Sequence, residues 1–267
     1  MLAEYLTRGV KAGVVAGLVF GLFVAVAANP LVAHADAVNH AAGEPDHGVD
    51  AEHHPDAHGH GADGSEGGGH HETAVSAAVA GVVSVLAGVA WAVALGGVFF
   101  GLAFYFLEPA IPGTGATKSY LLGAAGFVTV SGAPWLVLPP ASPGAEQSLA
   151  VATRLPLYAG MMVAGAVACL LAGYAYNRLA ESNGRILATL GASLSLCLLA
   201  VPAALAPANA VQGALSPALR NGLVGLFAFG QVVLWLILSV AHAQLRSGEP
   251  SGSDRSTTDS RPVVTAD

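Results

Sequence analysis

The sequence predicts an all-α protein, a polytopic bundle of about six transmembrane helices that carries one long polar loop. Three observations predict it. Hydrophobic residues fill 54% of the 267 positions and charged residues only 10%, far below the roughly 25% charge of a soluble domain. Six apolar stretches each reach the ~20 residues needed to cross a hydrocarbon core. The ionisable residues concentrate instead in residues 34–72 and in the C-terminal tail.

The first stretch runs from about Gly9 to Ala33, with Asn29-Pro30 near its end. Its Gly9, Gly13, Gly17 and Gly21 recur at four-residue spacing, which predicts close approach to a neighbouring helix backbone. The second, about Val75 to Leu107, holds 33 residues without a charge. As one straight helix it would be about 50 Å long, so it must tilt, project or break, and Gly96-Gly97 is the natural weak point. The remaining stretches are about Tyr120 to Leu138, Leu155 to Tyr176, Ile186 to Leu205 and Leu223 to Ala241.

These stretches divide the chain into residues 1–33 (N-terminus and first span), 34–74 (polar loop), 75–245 (five further spans) and 246–267, a Ser/Thr/Gly-rich tail with little to bury, expected to be disordered. Arg8 and Lys11, the apolar run and Ala33-His34-Ala35 also fit a secretory signal with an A-x-A site, whose cleavage would leave five spans. The run of about 20 residues exceeds the usual signal core, so six spans are the expectation.

Orientation follows the Lys/Arg distribution in short loops. With the N-terminus inside, Arg8, Lys11, Lys118, Arg178, Arg185, Arg246, Arg255 and Arg261 fall inside, and only Arg154 and Arg220 fall outside. Both termini are therefore expected in the cytoplasm and the polar loop on the outer face of the cell membrane.

That loop, His34 to Glu72, contains nine of the ten histidines, nine Asp/Glu and no Lys or Arg. It outweighs the rest of the chain in setting the net charge of -7. Imidazole nitrogen and carboxylate oxygen together suit divalent cobalt, nickel, zinc and copper, whereas magnesium and calcium want oxygen alone. The candidate metal ligands are His34, Asp36, His40, Glu44, His47, His53, His54, His58, His60, His70 and His71. Asp36, His40 and Glu44 follow at i, i+4, i+8 and would share one face if the first helix ran a turn or two past the membrane. The later pairs lie among Gly and Pro, so many interchangeable arrangements are expected. That favours capture and release over a rigid site. The competing reading is an acidic, solvated spacer or, since imidazole titrates near pH 6.5, a pH sensor.

Other functions are excluded by composition. No Gly-Lys pair occurs, so the chain has no P-loop ATPase of its own. No basic stripe suggests nucleic acid, and no histidine lies in mid-span to ligate haem. No catalytic constellation and no cofactor-binding motif is present, so an enzyme is not expected. Cys169 and Cys197 sit in separate apolar runs as packing residues. Glu108 and His242 are expected at the inner interface, at helix ends. The acidic, Lys-poor balance fits a salt-loving organism.

The segment GAAGFVTVSGAPWLVLPPASPGAE, Gly123 to Glu146, places an apolar helix with a Gly-Phe pair before the turn Pro139-Pro140-Ala141-Ser142-Pro143-Gly144. With a first span ending in Asn-Pro-Leu and followed at once by an acidic, His-bearing loop, the chain resembles the CbtA family of predicted cobalt transporter subunits, from the first span to about His242. The resemblance implies about five spans, cobalt uptake for cobalamin synthesis and a small one-span, His-bearing CbtB partner. Two features depart from it. The turn VPAALAPANAV, from Val201, lacks the histidine the family implies there, and six apolar runs exceed the family's count.

The expectation is thus a membrane subunit that collects divalent cobalt, or nickel or zinc, as a transported ion. Asn29, Glu108, Trp135, Pro139 and Pro140 are the candidates for a transport path, with Trp135 at the interface belt. The alternative is a metal-binding accessory or sensor that does not conduct. Expected partners are the lipid bilayer and the CbtB-like subunit, with a homo-oligomer left open.

Overall fold

The computed structural model describes residues 2–43, 74–142, 144–213 and 215–247. It is an α-helical membrane bundle. Helix α1 (Leu2–Phe23) passes through a π-helical turn (Val24–Ala28) into α2 (Asn29–Gly43). Helix α3 (Ala74–Trp91) passes through a second π segment (Ala92–Val98) into α4 (Phe99–Leu107), and α5 (Ala116–Phe127) through a third (Val128–Gly132) into α6 (Ala133–Trp135). Then come β1 (Glu146–Gln147), α7 (Val151–Cys197), α8 (Ala200–Leu205), β2 (Val211–Gln212) and α9 (Pro217–Ser247). Among the described residues, four helical stretches are long and apolar enough to cross a membrane: Leu2–Val38, Gly81–Leu107, Val151–Leu205 and Pro217–Ser247. Within Val151–Leu205 the backbone breaks at Gly184, whose φ of 83° leaves the helical region and separates two rods. That division matches the gap expected between the fourth and fifth stretches.

The first helix does not stop at Ala33, where the apolar stretch ends, but runs through Asn29-Pro30 to Gly43. Proline lacks an N–H and its ring pushes against the carbonyl four residues back, which ends or kinks an ordinary helix. Here the π turn ends two residues before Pro30, and the third π segment ends two residues before Pro134. The wider turn sets that carbonyl aside, so the helix continues. The second π segment falls on Gly96-Gly97, the weak point expected in the longest apolar run.

The glycine stripe of α1 does what its spacing predicts. A Cβ on Gly9 would lie 2.2 Å from the carbonyl oxygen of Gly97, and one on Gly13 would lie 2.6 Å from that of Ala92. From the opposite side, a Cβ on Gly101 would lie 2.7 Å from the carbonyl oxygen of Tyr5. The two helices are in backbone contact along most of their length. In lipid, where burial of apolar surface no longer drives association, such close packing is what holds helices together.

Helix α9 lies against α1 and α5. Their shared core contains Ala12, Ala16, Phe100, Phe104, Leu122 and Leu238. A second cluster, Ala133, Val137, Met161, Ala168 and Leu199, seats α7 on the π segment and α6. A third, Ala35, Leu215 and Leu223, ties α2 to the start of α9. Outward-facing Leu22, Val26, Leu86, Phe106, Leu155, Ile186 and Leu205 are exposed by 60% or more, a surface that suits acyl chains and not water.

One end of the bundle is clasped by the two-stranded antiparallel pair, Glu146 opposite Gln212 and Gln147 opposite Val211. Asn209 reinforces it: its Nδ2 donates to Gln147 Oε1 (2.9 Å), and its Oδ1 accepts from the Leu149 N–H (3.3 Å). The Pro-rich turn after Trp135 is thereby held to the turn that begins at Val201.

Candidate functional site

At the other end of the bundle, polar side chains from four helices converge. The sharp turn between α4 and α5 is built on Pro109, Pro112 and the positive-φ residues Gly113 (88°) and Gly115 (55°). It leaves Glu108 as the cap just past α4, its N–H still bonded to the Phe104 carbonyl (2.9 Å). Tyr5 of α1 donates its hydroxyl to Glu108 Oε2 (2.5 Å), and Arg246 of α9 donates to Oε1 (2.5 Å). Lys118 of α5 donates to the Glu108 backbone carbonyl (2.7 Å). One residue thus draws α1, α5 and α9 to the end of α4.

One turn deeper, His242 is fully buried. Its Nδ1 shares a 2.9 Å hydrogen bond with the Oγ of Ser119, itself fully buried, and its Nε2 has no hydrogen-bond partner among the described residues. The imidazole packs on Phe100 (5.0 Å between ring centroids) and on Phe104 (4.6 Å). The same Phe104 ring carries the Arg246 guanidinium at 5.0 Å, a cation–π geometry. His242 was expected at the interface. It lies inside instead, because Gly123, where a Cβ would lie 1.7 Å from Ser239 Oγ, brings α5 onto α9 and closes the ring off from water.

Beside this cluster a cleft of about 1830 Å³ runs between the α1, α3, α5, α9 group and α7. Its wall is mostly apolar. The polar side chains in it include Ser84, Thr117, Thr129, Ser131, Tyr158, Asn177 and Gln231, and among the described residues that line it none is Asp, Glu, His, Lys or Arg. Several of those polar groups are already engaged: Ser131 Oγ to Gln231 Oε1 (3.5 Å), Tyr158 to the Val130 carbonyl (2.6 Å) and Asn177 to the Ala110 carbonyl (2.8 Å).

The family described as "Probable cobalt transporter subunit (CbtA)" matches residues 2–247. The chain belongs to the CbtA family. No curated protein and no solved structure matches it. Membership covers nearly the whole chain and agrees with the apolar helical bundle, so this CbtA chain is a membrane protein of a cobalt-transporter family.

The CbtA chain distributes the expected site residues unevenly. His34 and Asp36 are exposed on α2, and His40 lies one turn beyond Asp36 on the same helix, which reaches Gly43. The helical extension that would align Asp36 with His40 is present. Glu44, His47, His53, His54, His58, His60, His70 and His71 lie outside the described residues. Among the described residues no group of three His, Cys, Asp or Glu stands ready for a metal. Of the path candidates, Trp135 and Pro140 line the cleft. Asn29 does not, but its Nδ2 donates to Ser84 Oγ (2.9 Å), which does. Glu108 and Pro139 stand apart from it, and both carboxylate oxygens of Glu108 are taken.

The buried imidazole is the polar residue whose place in the core was missed by sequence reasoning. A signal existed: His242 continues the four-residue stripe Gly230, Leu234, Leu238, and its two neighbours before it are buried or half-buried. A histidine in register with a core stripe faces the core.

Proposed function

We propose that this CbtA chain is the subunit that collects divalent cobalt on the outer face of the cell membrane and passes it inward. The observation that carries this reading is the density of ligands in residues 34–72, nine His and nine Asp/Glu without a competing cation, in a chain of a cobalt-transporter family. Nine imidazoles in one segment raise the local ligand concentration, so a cation released by one set rebinds to another before it escapes. His34, Asp36 and His40, on the helix that leads into the membrane, form the downstream edge of that store. Nickel and zinc satisfy the same donors; cobalt is preferred on the family's description.

The two-ended distribution of charge supports the orientation. Arg8, Lys118, Arg246 and Glu108 gather at one end of the bundle, and Arg220 starts α9 at the other, beside the cluster that holds α2. With the first end cytoplasmic, the loop opens outward, as uptake requires.

A second reading is favoured by the cleft. A divalent ion stripped of water is costly to place in a cavity without a charged ligand, and this cleft has none. The chain then serves as a receptor that hands the ion to a path completed by another subunit, which the word subunit in the family's description accommodates. Calorimetric titration of cobalt into the purified full chain at neutral pH tests capture. Binding that disappears when residues 44–73 are replaced by a Gly/Ser linker is expected; binding unchanged by that replacement assigns the ion elsewhere.

A further inference from the structure

We propose that His242 is the proton-binding residue of a latch that holds the ends of α1, α4, α5 and α9 together, closed with a neutral imidazole and released when the ring is protonated. The groups that face it come from every helix packed around it. Helix α4 contributes the Phe100 and Phe104 rings and, at its end, Glu108. Helix α5 contributes Ser119, with Lys118 beside it. Helix α1 contributes Tyr5 and Arg8, whose guanidinium lies 5.5 Å from the Tyr5 ring, and α9 contributes Arg246 one turn along. Arg8, Arg246 and Glu108 are all within electrostatic reach of the imidazole.

A neutral imidazole fits this seat. It makes one hydrogen bond to Ser119, leaves only an uncharged Nε2 without a partner, and otherwise presents an aromatic face to two phenylalanines. The charged form fits poorly for three reasons. It has two N–H donors, and only Ser119 is placed to accept, so the Nε2 proton is buried without a partner, at a cost of about 1–3 kcal/mol or more for a charged group. It adds a positive charge beside Arg8 and Arg246. Among the described residues the carboxylate within its reach is Glu108, which is already committed to Arg246 and Tyr5.

The most direct relief is for α9 to swing its last turns away from α4 and α5, which wets the ring. Arg246 sits four residues beyond His242, so that movement also pulls the guanidinium from Glu108. One proton thereby undoes both attachments of α9 to the end of α4. Interfaces packed this closely switch between discrete arrangements instead of stretching gradually, and protonation of a histidine between pH 8 and pH 5 is a recurrent trigger.

The test is hydrogen–deuterium exchange on the full chain in lipid nanodiscs, compared between about pH 8 and about pH 5 after correction for the intrinsic pH dependence of exchange. Exchange in 238–247 and in the 108–115 turn is expected to rise roughly tenfold or more at the acid end in the wild-type chain. In His242→Gln, whose amide can still meet Ser119 but takes up no proton, it should stay at its neutral-pH level. Wild-type exchange that does not change with pH overturns the proposal. So does an acid response retained in His242→Gln, which would assign the proton to another group, such as the loop histidines. If His242→Gln does not fold, the exchange of the His242 ring C–H proton in the wild-type chain reads the imidazole's titration directly. Titration in step with the opening supports the latch, and a ring that titrates with no opening, or opening without titration, refutes it.

Discussion

Arg246 Nη2 lies 2.5 Å from Glu108 Oε1 and joins residues 138 positions apart in the chain. The pair is largely withdrawn from solvent, with side-chain exposures of 26% and 20%. It closes the end of the bundle opposite the β1–β2 pair. Removing one partner leaves the other charge without its ion pair, Glu108 with only the Tyr5 hydroxyl and the nearby Lys118, and Arg246 with only the Phe104 ring. Glu108→Gln is expected to destabilise the chain by about 1–3 kcal/mol, read as a lower unfolding midpoint in detergent. Arg246→Met should cost a similar amount. The double variant should cost less than the sum of the two, because each single change has already broken the pair.

The same pair gives a pH dependence. Glu108 lies just past the last residue of its span. Burial alone would raise its carboxyl, but the Tyr5 hydroxyl and the Arg246 guanidinium outweigh it and hold the group below its ordinary value of 4.5. A carboxyl depressed in the folded state contributes stability that is fully present above its unfolded value and is lost as pH falls through the folded one. The unfolding midpoint should therefore drop on acidification below about pH 4.5 in the wild-type chain and drop less in Glu108→Gln. This window lies below that of the histidine latch, so the two effects separate on one titration.

Ser119→Ala removes the only hydrogen bond to the buried imidazole. A loss of about 1–2 kcal/mol is expected and is measurable by thermal unfolding at neutral pH. Stability unaffected by the change would mean that His242 finds another partner.

The glycine contacts predict a graded series. Gly9→Ala places a Cβ 2.2 Å from the Gly97 carbonyl oxygen, and overpacking of this kind costs about 1–3 kcal/mol. Gly160→Ala meets nothing within 4 Å and should stay within about 0.5 kcal/mol of wild type. Equal effects at the two positions would separate the stripe from helix packing.

Much of this was legible in the chain itself. The apolar runs, the stripe from Gly9 to Gly21 and the weak point at Gly96-Gly97 are local patterns, and local patterns set where helices form and how near they approach. Helix continuation past Pro30 was legible only as a condition on the face of Asp36, His40 and Glu44, because proline's local rule ends a helix and the π turn that relaxes it is visible only in three dimensions. The ends of the bundle were hardest. Tyr5, Glu108, Ser119, His242 and Arg246 are scattered over more than 240 positions, and no spacing in one dimension announces that they meet. The His-rich loop is the reverse case, conspicuous in composition and lying almost wholly outside the described residues.

For the loop, density of ligands should matter more than any one of them. His58→Ala is expected to leave cobalt uptake within about twofold of wild type, because neighbouring imidazoles replace the lost one. Uptake abolished by that single change would point to a fixed site.

The most direct measurement is uptake of radioactive cobalt at limiting concentration by cells that carry the intact transporter, comparing the wild-type chain with one in which a Gly/Ser linker of equal length replaces residues 44–73. Uptake that depends on the chain and falls roughly tenfold or more without the loop is the expected result. Uptake that is the same with and without the loop, at the lowest cobalt concentrations, would contradict capture by its histidines.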